Sequence, residues 1–145
     1  MDLGLRLKKI NDMMEKIANR GLKKYDLTFS QFHVLIYLYR KSDNTAPLKE
    51  LEKKFQVAQA TMAGIAARLE NKGLVSSTLD ERDKRVKLIS LTNKGAEFCS
   101  NARKGMQNFE EEKVAAIYTP EELKQFNTYL EKIYDALVEL DKNLK

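Results

Sequence analysis

Between Leu48 and Thr92 the chain carries two short helices, a tight turn and a β-hairpin in direct succession, and few folds accommodate that order. Leu48, Leu51 and Phe55 recur at helical spacing and predict a short helix over 48–55. Gln56-Val57 then separates it from a longer helix over about 58–72, with Met62, Ile65, Ala66 and Leu69 predicted to face inward. Two helices joined so tightly form a helix-turn-helix pattern. Gly73 follows as the left-handed residue that ends a helix. Two β-prone runs, 74–79 and 85–91, flank the charged stretch Asp80-Glu81-Arg82-Asp83-Lys84, which predicts a hairpin with a polar tip. The expected fold class is mainly α with a small β-hairpin wing.

The flanks read as helices. Leu3, Leu7, Ile10, Met14 and Ile17 alternate in steps of four and three, giving a narrow apolar stripe on a helix expected over about 3–24. Thr28 with Gln31 forms a capping box and Leu27 with Phe32 the staple across it. The helix they open carries Phe32, Leu35, Ile36, Leu38 and Tyr39, a broad apolar face expected at the centre of the domain, and it stops at the turn cluster Ser42-Asp43-Asn44. Thr92 can cap a connecting helix over 96–116 with Phe98, Ala102, Met106 and Phe109 on one side. Thr119-Pro120-Glu121-Glu122 combines a cap, a proline in the first turn and an acidic third position. Behind it Leu123, Phe126, Leu130, Ile133, Leu137 and Leu140 keep a heptad seam.

Charge is unevenly distributed. Residues 1–47 hold nine Lys/Arg and five Asp/Glu, 48–95 hold ten and six, and 96–145 hold seven and ten. A polyanion-facing surface therefore belongs to the first two thirds and excludes the tail. No apolar run approaches the roughly 20 residues of a membrane span, and no secretion signal opens the chain. The single Cys99 allows no intramolecular disulfide, so a cytoplasmic, reducing setting is expected. No metal or cofactor site is read. With one His, one Cys and no Gly-rich phosphate loop, an enzyme is the least favoured class, and Glu110-Glu111-Glu112 reads as a solvated face.

A helix that enters a DNA major groove needs a slender leading end and an inward face fixed to its partner helix. Gln59, Ala60, Thr61, Ala63, Gly64 and Arg68 lie on the face opposite Met62, Ile65 and Leu69. Gln59 suits an adenine edge, Arg68 a phosphate or base, and the two alanines a thymine methyl. An ordinary amphipathic helix has the same pattern, so this helix alone decides little. The hairpin adds Arg82, Lys84, Arg85 and Lys87 within six residues, where long cations can enter a minor groove or follow phosphates. Asp80 or Asp83 is expected to hold Arg82 or Arg85 in a fixed pose.

With these residues in view, the chain resembles the MarR family of transcriptional regulators over essentially its whole length. The resemblance is carried by Leu27-Thr28-Phe29-Ser30-Gln31-Phe32-His33-Val34-Leu35, by Arg68-Leu69-Glu70-Asn71-Lys72-Gly73-Leu74-Val75, and by Asp80-Glu81-Arg82-Asp83-Lys84-Arg85 through Leu88-Ile89-Ser90-Leu91-Thr92-Asn93-Lys94-Gly95. It implies a single subunit over 1–145 with dimerisation helices at 1–26 and 117–145 and a DNA-binding winged helix-turn-helix lobe at 28–95. It also implies a homodimer on a pseudo-palindromic operator, acting as a repressor or an activator, with a repressor released by a small lipophilic or aromatic anion as the favoured form. Asp83-Lys84-Arg85 matches the family's Asp-x-Arg element, which makes Arg85 the first choice for the minor groove and Arg82 the second. Three positions depart from the family pattern: Ala58 where Ser or Thr often caps the recognition helix, Gln56 where Gly is frequent, and Gly64 where a long polar residue is common. The two terminal stripes support a dimer independently, since one domain cannot bury both against a core already lined by residues 32–39. Met14, His33 and Tyr37 are candidates for an effector pocket, and Cys99 is expected to serve packing. The alternative function is a winged-helix protein-interaction or scaffold module.

Overall fold

The computed structural model describes residues 2–109, 113 and 116–144. The expected Glu110-Glu111-Glu112 face, the end of the connecting helix and the side chains of Met106 and Phe109 lie outside the described residues. The chain forms two compact units, Met1–Ser100 and Asn101–Lys145.

The first unit opens with α1, Leu3–Leu22, whose first turn is capped by the Asp2 carboxylate accepting the Leu5 N–H at 3.2 Å. Its stripe finds little cover here. Leu3, Ile10, Met14 and Ile17 are 48–61% exposed, Leu7 is half-buried, and Leu22 alone is buried. The helix ends two residues before the expected point and tightens into a 3₁₀ turn, Lys23–Tyr25, that closes on a left-handed Asp26. α2, Phe29–Arg40, begins with the predicted capping box: the Gln31 N–H donates to Thr28 Oγ1 at 3.3 Å and the Thr28 N–H to Gln31 Oε1 at 3.1 Å. Phe32, Val34, Leu35 and Leu38 are buried, while Ile36 and Tyr39 are half-buried, so the inward face is rotated slightly toward Val34. Past the end of α2, Asn44 adopts φ 53° and donates its Nδ2 to the carbonyls of Leu38, Tyr39 and Lys41, closing the turn.

A three-residue strand, β1 (Thr45–Pro47), joins the hairpin strands β2 (Val75–Leu79) and β3 (Lys87–Leu91) in an antiparallel sheet of order β1-β3-β2. Ala46 pairs with Ile89 and Ser77 also pairs with Ile89 from the other side. β3 starts at Lys87 rather than at residue 85, so Lys84, Arg85 and Val86 belong to the turn. α3, Leu48–Phe55, and α4, Gln59–Asn71, pack beneath this sheet. Leu35, Leu38, Ala46, Leu51, Met62, Ala66, Leu69, Ile89 and Cys99 are fully buried, one core drawn from three helices, the sheet and the start of α5, Asn93–Phe109. Each Leu, Ile or Met side chain buried in that way contributes roughly 1.5–3 kcal/mol. Ile65, expected inside, is half-buried.

In the second unit α6, Pro120–Asn143, starts from a second predicted capping box, with the Glu122 N–H donating to Thr119 Oγ1 at 3.2 Å and the Thr119 N–H to Glu122 Oε2 at 2.8 Å. None of its residues is buried. Leu123, Leu130 and Ile133 are half-buried, and Phe126, Leu137 and Leu140 are exposed. Among the described residues no helix is long and apolar enough to cross a membrane.

Candidate nucleic-acid interface

The turn before α4 is made without glycine. Gln56 takes the left-handed conformation at φ 51°, ψ 46°, a geometry that costs a residue with a Cβ about 1 kcal/mol or more, and its N–H reaches back to the Glu52 and Lys53 carbonyls. Ala58 then leads α4 in extended conformation with no side-chain cap. The inward Met62, Ala66 and Leu69 anchor the helix, and Gln59, Ala60, Thr61, Gly64 and Arg68 lie exposed on the other side, with Ala63 half-buried between. A methyl group added at Gly64 would meet open space.

The wing tip is organised by two aspartates that divide the work. Asp80 Oδ1 accepts the backbone N–H groups of Arg82 at 2.7 Å and Asp83 at 3.1 Å, while the Asp80 N–H donates to the Val86 carbonyl at 2.9 Å. Asp80 therefore shapes the loop. Asp83 binds the side chain: Arg85 Nε donates to Oδ1 and Nη2 to Oδ2, each at 3.0 Å, and the Arg85 N–H adds a third bond at 3.1 Å. A two-pronged guanidinium–carboxylate pair fixes orientation as well as distance. Those bonds hold the Asp83 carboxyl below its usual pKa and raise that of Arg85, whose side chain is 90% exposed. Of the alternatives left open by the sequence, the structure pairs Asp83 with Arg85. Arg82, Lys84 and Lys87 extend into solvent beside them, with no side-chain partner among the described residues.

The junction of helix and wing contains contacts that no local pattern signals. The Thr92 hydroxyl donates to the Gly73 carbonyl at 2.6 Å and accepts the Gly95 N–H at 3.1 Å, and Lys94 Nζ donates to the Lys72 carbonyl at 2.9 Å. Gly95 sits so close to β2 that a Cβ there would lie 2.1 Å from the Leu74 carbonyl oxygen. Glu70 accepts both the Ser77 N–H, at 2.9 Å, and the Ser77 hydroxyl, at 3.2 Å.

Of the three candidate effector residues, His33 and Tyr37 lie four residues apart on α2 and each has its own partners. The Tyr37 hydroxyl donates to Glu50 at 2.7 Å, and Lys41 donates to the same oxygen at 2.6 Å, which lowers the Glu50 carboxyl and raises the pKa of both donors. His33 stands at the surface 4.1 Å from the Phe29 ring, its pKa lowered by lost hydration first and by the charge of Arg40 second. Met14 is 61% exposed on α1. None of them lines the open cleft of about 530 Å³ that Arg68 shares with Asn19, Gln31, Asn71 and Lys72. Cys99 is fully buried and its thiol is pushed up to about 11, which keeps it protonated and unreactive.

With this geometry in place, residues 16–102 match the family described as transcriptional regulator SarA/Rot. The chain belongs to the SarA/Rot family of transcriptional regulators. An HTH-type transcriptional regulator of Bacillus cereus is 28% identical over 130 residues, covering 90% of this chain and 85% of that protein. The transcriptional activatory protein BadR of Rhodopseudomonas palustris is 31% identical over 94 residues, 64% of this chain and 54% of BadR, so that match spans little more than half the relative. Among solved structures, Staphylococcus aureus MepR in complex with DNA superposes with a TM-score of 0.83 at 26% identity, over 94% of this chain and 99% of MepR. Apo MarR from Escherichia coli gives 0.75 at 26% identity, over 92% and 96%. The MarR resemblance and the winged-helix fold read from the sequence are borne out by this SarA/Rot member.

Proposed function

We propose that this SarA/Rot regulator binds double-stranded DNA in a sequence-specific manner as a homodimer, with α4 in the major groove and the wing in the adjacent minor groove. The observation that carries the reading is the Asp83–Arg85 pair, an exposed guanidinium held in one orientation at the tip of a hairpin beside a slender, well-anchored helix. A narrow minor groove attracts such a cation, and pre-orienting it reduces the ordering cost of binding. Gln59 and Thr61 supply polar contacts in the major groove, Ala60 and Ala63 apolar ones, and Arg68, Arg82, Lys84 and Lys87 meet phosphates. The exposed stripes Leu3, Ile10, Met14 and Ile17 on α1 and Phe126, Leu137 and Leu140 on α6 supply apolar surface for the second subunit. The DNA-bound MepR structure supports the same assignment by likeness. Two copies related by a two-fold axis read two half-sites of a pseudo-palindrome.

The test begins with a duplex selected from a random pool by the native protein. Arg85→Ala is expected to weaken binding to it about ten- to hundredfold, and unchanged affinity would favour a protein-interaction scaffold instead. Regulation follows the MarR resemblance in this proposal: a repressor that lets go of DNA when a lipophilic or aromatic anion binds. Titrating benzoate and longer aromatic carboxylates into the complex checks that part, and a complex that survives all of them removes it.

A further inference from the structure

Glu70 lies in the last turn of α4, and both of its carboxylate oxygens are taken up by one residue of β2. Strand parity explains why the Ser77 amide is available. The Leu74 carbonyl accepts from the Thr92 N–H and the Asp80 N–H donates to Val86, so even-numbered residues of β2 turn their backbone groups toward β3. Ser77, being odd, turns its amide to the open edge, because β2 is the outer strand of the order β1-β3-β2. Edge donors of this kind are exposed to water or to another strand. Here a side chain of the preceding helix claims one.

The other junction contacts, Thr92 with Gly73, Lys94 with Lys72 and Gly95 against Leu74, all fall at the base of the hairpin. They fix where the hairpin is attached. A direction needs a second fixed point, and Glu70–Ser77 provides it two residues further along β2 than Val75. We propose that Glu70 is a positioning residue for the wing: by tying Ser77 to the last turn of α4 it sets the angle at which the hairpin leaves the helix, and so the place of Arg85 relative to the face of Gln59 and Thr61. This rests on the DNA-binding function proposed above. A free carboxylate near DNA repels phosphate, whereas this one is engaged by an amide and a hydroxyl. Because the pair is solvent-exposed, its loss removes orientation while leaving the fully buried core intact.

A double-mutant cycle tests the proposal on the full-length protein, using the selected duplex. In the otherwise native protein Arg85→Ala is expected to cost about ten- to hundredfold in affinity; combined with Glu70→Ala its further cost should shrink to less than about threefold, since a misdirected wing has little left to lose. Glu70→Gln, whose amide oxygen still accepts the Ser77 N–H, should restore most of the affinity, with thermal unfolding of all variants close to native. Equal costs of Arg85→Ala with and without Glu70→Ala overturn the proposal, as does tighter binding by Glu70→Ala, which would leave only a charge effect. If Arg85→Ala is silent even in the native background, the minor-groove reading itself fails and the positioning role goes with it.

Discussion

In the DNA-binding reading proposed above, α4 and the wing solve opposite halves of one problem. α4 is held by three fully buried side chains, Met62, Ala66 and Leu69, yet offers the solvent mostly small groups: Ala60, Ala63 and Gly64. The wing tip buries almost nothing and carries Arg82, Lys84, Arg85 and Lys87, with its order coming from carboxylates instead of packing. Stiffness in the helix comes from burial, and stiffness in the tip from hydrogen bonds that water contests. Reach and anchorage are assigned to different elements, so the junction between them matters as much as either.

That division can be broken most severely at the junction. Gly95→Ala is expected to destabilise the fold by about 3 kcal/mol, because the added methyl must displace the Leu74 backbone or the Leu91 side chain. A melting temperature lower by about 10 °C in calorimetry is the expected reading, and a native melting curve would show that the close approach carries no weight. Next comes the helix. Gln59→Ala should lose about tenfold on the selected duplex and relax preference at one or two base pairs only, whereas Arg85→Ala should weaken cognate and altered duplexes alike over those pairs. A larger effect at Gln59 than at Arg85 would invert the comparison.

Gly64→Ala sharpens the same point. The space above it is open and alanine favours a helix by about 1 kcal/mol, so denaturant unfolding should report a gain of that size with operator affinity held within about twofold. A drop in affinity as large as the roughly tenfold loss expected for Gln59→Ala would mean that DNA approaches the backbone there. The smallest effect concerns the clamp. Asp83→Asn keeps the shape and removes the charge, and about a threefold loss of affinity is expected. The Asp83 carboxyl is held below its ordinary range by Arg85, so the pair is complete above about pH 4 and is lost as pH falls through the depressed value. The ratio of native to Asp83→Asn affinity should therefore stay flat from about pH 8 to about pH 5; a ratio that narrows in that window contradicts the depressed pKa.

Much of the architecture was readable because it is written locally. The two capping boxes, the bounds of α3 and the left-handed Gly73 all depend on residues within four positions of each other. β1 was missed for the opposite reason: three residues ending in Pro47 have no pattern of their own, and the strand exists only because β3 lies beside it. The choice between Asp80 and Asp83 also stayed open in the sequence, each being two residues from an arginine. The loop decides it, since Asp80 is drawn inward by two backbone amides and Asp83 is left facing the Arg85 side chain. Gly95 and Glu70 stand in the segments that carry the family resemblance, but their contacts could not be read there. Their partners, Leu74 and Ser77, are brought to them by the packing of the sheet on the helix.

The closeness of Gly95 to Leu74 also limits how this chain can evolve. No side chain fits at that position without a shift of the Leu74 backbone, so a descendant that keeps the contact keeps glycine there. The loop from Asp80 to Val86 is closed on itself, with the Asp80 N–H donating to the Val86 carbonyl. Variation is thus steered away from the base and toward the tip, while the inherited scaffold below it stays as it was.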